Sequence, residues 1–237
     1  MFDETKSQNY FWIEEFDYTK KCIIWVKLNA GQTSVNIAYD NDLCSVSDFN
    51  NGDMIFEFFD DFKDGVIDTN KWAIISGTWE ESNGVLKTTT ERGTIESVNT
   101  IPDYRLSTKF LATGGVDRYD GASIFNWVDS DNFERYGHSQ AYSYFGVKQK
   151  IAGTETGNHP DYNFSDNVLY EVHIAKNGSY LEQTVNGTTV SHTFDDILTN
   201  CKLRIENVDW YVQWHPIIMW KFLSTDLSFE TPAINTF

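Results

Sequence analysis

Cleaving a sugar polymer takes two carboxylates aimed at one bond, one serving as nucleophile and the other as acid and base. On a β-strand, alternate side chains share a face, so such a pair is written E-x-D-x-x-E along the chain. That pattern is absent here. In "IENVDW" Glu206 and Asp209 fall at the wrong parity, and "DSDNFE" sits on a turn. There is also no H-E-x-x-H, no G-x-S-x-G, no glycine loop shaped for phosphate and no Cys/His grouping. The five histidines (His138, His159, His173, His192 and His215) are scattered. Hydrolysis is therefore not the expected chemistry. A lyase, with Tyr or His as base and Arg or Lys neutralising a uronate, stands beside it as an alternative of the same class.

Residue types suited to holding a sugar are better represented. Aromatic faces stack on sugar rings, and polar side chains beside them bond the hydroxyls. Alternation along "DNFERYGHSQ" places Glu134, Tyr136, His138 and Gln140 on one face, with Phe133 opposite. In "YSYFGVKQKIA", Phe145, Val147 and Ile151 suit a core, which turns Tyr142, Tyr144 and Lys148 outward. Together with Arg118 and Trp127 these residues are expected to line one groove. Exposed tyrosine rows also form ladders that only stabilise a sheet. Asp129 and Asp131 in "DSDN" resemble half of a calcium loop, but the glycine and distal Glu of an EF-hand are missing. Turn formation explains them more simply.

The elements that must position these residues read as strands. The 237 residues include 8 Trp, 12 Tyr and 17 Phe but only 4 Pro, a composition that favours pleated sheet. Alternating runs such as "YRLSTKFLAT", "CKLRIENV" and "PIIMWKFL" are separated by Asn-Gly turns at Asn83, Asn177 and Asn186. The two β-rich runs Ile23 to Leu28 and Ser34 to Tyr39 flank Gly31 as a hairpin would. No long amphipathic helix is evident. Many short strands at near-regular spacing predict a sandwich or jelly roll.

Charge and cysteine usage remove further classes. The net charge of −17 argues against nucleic acid, whose phosphates need clustered Lys and Arg, and against anionic lipid. No apolar run is long enough for membrane insertion, and the first residues lack the basic and apolar parts of a signal peptide. Cys22, Cys44 and Cys201 have no metal-ligand spacing. Whether Cys22 and Cys44 pair is left open; Cys201 is expected in the core as a small hydrophobe. The sequons at Asn163, Asn177 and Asn186 are glycosylated only in an exporting host, and two of them are also plain turns.

"FFDDFKDGVIDTNKW", followed by "GTWEESNGVLK", resembles the start of concanavalin A-like (laminin-G-like) lectin and glucanase jelly rolls. "DGASIFNWVDSDNFERYG" and "LYEVHIAKNGSYLEQTVNGTTV" resemble later hairpins of the same family. In this reading Phe59 and Phe62 anchor the chain to the core, Asp60 and Asp61 cap the bend and Trp72 plugs the sandwich end. Upstream, "WIEEFD", "IIWVKL" and "VNIAYDND" resemble the domain of unknown function numbered 2341, which precedes such jelly rolls in surface and some phage proteins. That family has further strands ahead of its "WIE" element, so the small domain is expected to be truncated, with an exposed edge.

These resemblances imply an all-β protein: a short N-terminal β segment over residues 1–54 and a concanavalin A-like jelly-roll β-sandwich over residues 55–237. They imply a non-catalytic surface recognition module with a glycan or cell-surface polysaccharide as partner, at a cell or virion surface. A structural or adhesion subunit that assembles with itself or with other structural proteins is the alternative. Relatives of this kind hold a structural Ca²⁺ with an Asp on the last strand. "PIIMWKFL" has apolar residues there; no cofactor is expected, and a structural Ca²⁺ is left open.

Overall fold

The computed structural model of the protein describes residues 9–17, 21–31, 50–90, 92–113, 121–139, 143–208 and 211–221. It divides into two compact units, Met1–Asp60 and Asp61–Phe237.

The first unit holds β1 (Phe11–Asp17), β2 (Lys21–Val26) and β3 (Phe58–Asp60), with a single 3-10 turn at Gly52–Met54. β1 and β2 pair antiparallel, Phe11 opposite Val26 and Ile13 opposite Ile24. The expected hairpin partner, Ser34 to Tyr39, lies outside the described residues. Trp12 is buried against Phe59 and Phe56, with ring centroids 5.0 and 5.9 Å away. Glycine is required at position 52 because a Cβ there would stand 2.4 Å from the Phe59 ring. The aromatics of "FEFFDDF" therefore divide: Phe56 and Phe59 pack in this unit, and Phe62, fully buried, belongs to the next.

The second unit begins with β4 (Trp72–Ser76), β5 (Trp79–Ser82), β6 (Val85–Thr88), β7 (Arg92–Ile101) and β8 (Tyr104–Thr113). Its middle supplies β9 (Ala122–Asp129), β10 (Asn132–Ser139), β11 (Tyr144–Ile151) and β12 (Thr154–Asn158). Then follow β13 (Leu169–Asn177), β14 (Tyr180–Val185), β15 (Thr188–Thr193), β16 (Cys201–Val208), β17 (Tyr211–Trp214) and β18 (Ile217–Lys221). Asn83-Gly84 and Asn186-Gly187 both have positive φ at both positions, the two-residue turn whose twist matches the flanking strands.

Two antiparallel sheets result. One runs β12-β11-β10-β9-β16-β7-β4 and the other β15-β14-β13-β8-β17-β6-β5, with β18 also paired to β8. Their inner faces meet in a core that includes Trp72, Leu86, Ile95, Leu106, Phe110, Ile124, Phe145, Val147, Leu181, Ile205 and Trp214, all essentially inaccessible. Each such side chain stabilises the sandwich by about 1.5–3 kcal/mol. Cys201 is buried there as a free thiol. The architecture is the all-β, concanavalin A-like jelly-roll sandwich that the motifs implied.

Candidate functional site

Strand β10 carries the central correction. Glu134, Tyr136 and His138 do share one face, but it is the inner one, and all three are fully buried. Register gives the reason. Tyr136 stands opposite Val147 and His138 opposite Phe145, and residues directly opposite in a ladder share a face. Once Phe145 and Val147 are in the core, Tyr136 and His138 must be there too.

What makes this tolerable is a polar network between the sheets. Lys176 of β13 reaches the Glu134 carboxylate at 3.0 Å. Glu134 also accepts from Asn126 Nδ2 at 2.7 Å and Gln149 Nε2 at 3.3 Å, and the Tyr104 hydroxyl donates to Asn126 Oδ1 at 2.6 Å. Burial still pushes the Glu134 carboxyl above its ordinary range, with Lys176 opposing that shift. The Tyr104 and Tyr136 phenols are pushed well up by the same desolvation. His138 Nδ1 lies 2.9 Å from the Ala122 carbonyl and Nε2 lies 2.6 Å from Gln183 Nε2. A carbonyl only accepts, so Nδ1 carries the proton and Nε2 accepts from Gln183. None of these groups reaches solvent. Glu134, Tyr136 and His138 are thus withdrawn from the groove, and as bases for a lyase they are inaccessible.

The outer face of the same sheet has a different character. Three cross-strand rows run over it. The first is Lys202, Trp127, Phe133, Lys150 and Glu155. The second is Glu96, Arg204, Phe125, Arg135, Lys148 and Gly157. The third is Thr94, Glu206, Ser123, Gly137 and Gly146. Trp127 stacks on Phe133, with centroids 5.5 Å apart and planes at 11°. The Arg204 guanidinium lies 3.3 Å over the Trp127 ring, Arg135 lies 5.7 Å over Phe125, and Lys150 lies 5.7 Å over Phe133. Arg135 is oriented by its Nε, which donates to Ser123 Oγ at 3.0 Å.

Of the residues the sequence suggested for a groove, Trp127, Tyr144 and Lys148 lie on this outer face. Lys148 stands 5.6 Å from the Tyr144 ring. Arg118 and Tyr142 lie outside the described residues. Phe125, Phe133, Arg135, Lys150, Lys202 and Arg204 were missed. Phe133 was assigned to the face opposite the groove, and a Phe between charged neighbours reads as core. A signal for Lys150, Lys202 and Arg204 is "KQK" in β11 and "KLR" in β16, where every second residue is a cation.

Carboxylates on this face are engaged with cations. Glu96 Oε1 accepts from Arg204 Nε at 2.7 Å and also from its Nη2, and Glu96 Oε2 lies 3.9 Å from Lys202. Glu206 Oε2 lies 4.0 Å from the other side of the same guanidinium. The arrangement is an acid–arginine–acid cluster. Asp129 is occupied in its turn, accepting from the Asp131 N–H at 2.8 Å and Asn132 Nδ2 at 2.9 Å, and these bonds hold its carboxyl low. Asp131 lies 3.6 Å from Lys150. Among the described residues no group of three His, Cys, Asp or Glu side chains is arranged to hold a metal ion.

On the opposite sheet, a cavity of about 320 Å³ opens between Arg105, His173, Glu182, Thr184 and Trp220. It forms because Ala175 sits between Arg105 and Glu182 in the ladder and leaves space above itself.

Fold and faces together define a jelly-roll β-sandwich carrying an aromatic and cationic outer sheet. In sequence, residues 1–75 match the family described as Domain of unknown function (DUF2341). No protein of curated function matches the sequence. In structure, the chain is similar to the carbohydrate-binding module CBM66 from Bacillus subtilis, at 11% identity, a TM-score of 0.56, and coverage of 65% of this chain and 98% of that one. It is also similar to the Bacillus licheniformis beta-glucanase, at 12% identity, a TM-score of 0.55, and coverage of 70% and 98%. A third similar structure is a prokaryotic beta-1,3-1,4-glucanase (lichenase) derived from a mouse hindgut metagenome, at 8% identity, a TM-score of 0.53, and coverage of 70% and 99%. At these identities the likeness establishes the fold. Among the described residues, no helix is long and apolar enough to cross a membrane.

Proposed function

We propose that this protein is a non-catalytic carbohydrate-binding module, taking its glycan on the outer face of the β12-to-β4 sheet at a cell or virion surface. Residues 1–54 form a separate small β domain in this reading, and 55–237 form the binding jelly roll. The observation that carries it is the register. Trp127 and Tyr144 share an outer face with the cations of two adjacent rows, a combination that recognises a ring and its polar substituents together. The fold shared with a carbohydrate-binding module supports the same reading. Glucanases share that fold too, so the non-catalytic part rests on the carboxylates, since Glu96 and Glu206 flank Arg204 instead of facing an open cleft.

Two measurements test this. A broad glycan array with the whole chain is expected to return at least one ligand; an array without any moves the protein to the structural or adhesion reading. Incubation with β-glucans, xylans and alginates is expected to release no reducing ends and no unsaturated products. Turnover that disappears on Glu96→Gln or Glu206→Gln overturns the non-catalytic assignment.

A further inference from the structure

We propose that the polar cluster between the two sheets is a covalent modification site, where the Lys176 amine displaces ammonia from the Asn126 side-chain amide and joins the sheets through an isopeptide bond. The cluster is built from two cross-strand pairs. Asn126 and Glu134 stand directly opposite each other on β9 and β10 of one sheet, and Tyr104 and Lys176 do so on β8 and β13 of the other. A nucleophile, an acid and an amide thus converge from three strands, and Asn126, Glu134 and Lys176 are all fully buried. Convergence of this kind replaces a collision between groups 50 positions apart with a contact that folding has already made.

The contacts give each group a task. Glu134 Oε2 lies 3.0 Å from Lys176 Nζ and accepts from Asn126 Nδ2 at 2.7 Å, so one carboxylate oxygen bridges the amine and the amide nitrogen. On the other side of that amide, the Tyr104 hydroxyl donates to Asn126 Oδ1 at 2.6 Å. A donor placed there makes the carbonyl carbon more electrophilic and stabilises the negative charge that attack puts on the oxygen. Lys176 Nζ is further held by the Gly178 carbonyl at 2.9 Å, with Asp103 at 3.9 Å. Gln149 Nε2 also reaches Glu134, at 3.3 Å, but it is shared with the Asp196 carbonyl at 3.1 Å. The phenol sits on Asn126, which makes that amide the electrophile.

The protons balance within the cluster. An ammonium cannot attack, so Lys176 first passes a proton to Glu134; burial favours the exchange, because it pushes the Glu134 carboxyl above its ordinary range. Neutral Nζ then adds to Asn126 Cγ. Glu134 gives its proton to Nδ2 and takes one from Nζ, and the Cγ–Nδ2 bond breaks. The products are ammonia, an Nζ–Cγ amide and a neutral Glu134, with no oxidant and no cofactor consumed. Water would compete for the same carbonyl, but this cluster is closed to solvent. The resulting link from β9 to β13 stops the two sheets from sliding apart, whatever the outer face binds.

The test is a mass-spectrometric peptide map of the full chain, purified in its folded state and then digested with trypsin in denaturant. The expected map contains a branched peptide joining the Asn126 segment to the Lys176 segment, lighter than the two together by one ammonia, with no cleavage after Lys176. Intact mass is not enough, because Asn-Gly pairs such as Asn83-Gly84 lose ammonia when they cyclise to succinimides. Glu134→Gln and Lys176→Arg should each abolish the branched peptide, with circular dichroism reporting the fold. Separate, unmodified Asn126 and Lys176 peptides from the wild-type chain overturn the proposal. So does a link from Lys176 to Gln149, or a wild-type yield of branched peptide in a folded Glu134→Gln. Should the variants fail to fold, the wild-type map alone decides.

Discussion

His138 should make the fold sensitive to acid by an amount that can be worked out. Its ring sits between the sheets, 4.7 Å from Phe110 and 5.7 Å from Phe164 by centroid, and its neutral form meets one acceptor and one donor. Protonation would place a second N–H on Nε2, facing the Gln183 Nε2 donor at 2.6 Å, in a desolvated space near Arg135. Burial accordingly lowers the pKa from 6.5 to about 4. The folded value lies below the unfolded one, so the unfolded chain takes up this proton first. The stability tied to neutral His138 is complete above pH 6.5 and drains away as pH falls toward 4. At about 1.4 kcal/mol per unit, the loss is about 3 kcal/mol. The comparison is with His138→Asn, which keeps a donor for the Ala122 carbonyl but cannot titrate. Urea unfolding followed by tryptophan fluorescence should find the variant less stable at pH 7, with its deficit shrinking by about 3 kcal/mol by pH 4. A deficit that stays constant across that range refutes the argument, because His138 would then titrate alike in both states.

Three further outcomes are expected. Lys176→Met leaves Glu134 charged and uncompensated between the sheets, so it should cost at least about 3–5 kcal/mol in urea unfolding, and adding Glu134→Leu should recover the part due to that charge. Phe145→Ala should cost about 3–5 kcal/mol as a core cavity, whereas Trp127→Ala should weaken glycan binding by roughly tenfold in titration while the chain still melts cooperatively. Trp220→Ala, at the cavity of the other sheet, should leave titrated glycan affinity unchanged; a loss there moves the site to that face.

How much was legible in advance differs strand by strand. Asn83-Gly84 and Asn186-Gly187 announced their hairpins because a two-residue turn with positive φ at both positions suits very few residue pairs. Phe145, Val147 and Cys201 were assigned to the core correctly because apolar alternation there is unambiguous. β10 misled because both alternating sets of "FERYGHS" are mixed, Phe133, Arg135, Gly137 and Ser139 on one face and Glu134, Tyr136 and His138 on the other, so polarity alone does not decide the face. The inner space here is polar, held by Lys176, 42 positions along the chain from Glu134.

By itself the sequence determined the class of fold, the hairpin turns at Asn83 and Asn186, and the outward placement of Trp127, Tyr144 and Lys148. These follow from alternation and turn chemistry, which act over a few residues. Which way β10 faced, and which cations met which rings, was decided only by tertiary structure. Register sets Arg204 of β16 beside Phe125 of β9, and Lys148 of β11 beside Arg135 of β10. The cost of burying Glu134 is offset only by a lysine that the second sheet delivers. Both depend on contacts between segments far apart in the chain, and no local pattern carries that information.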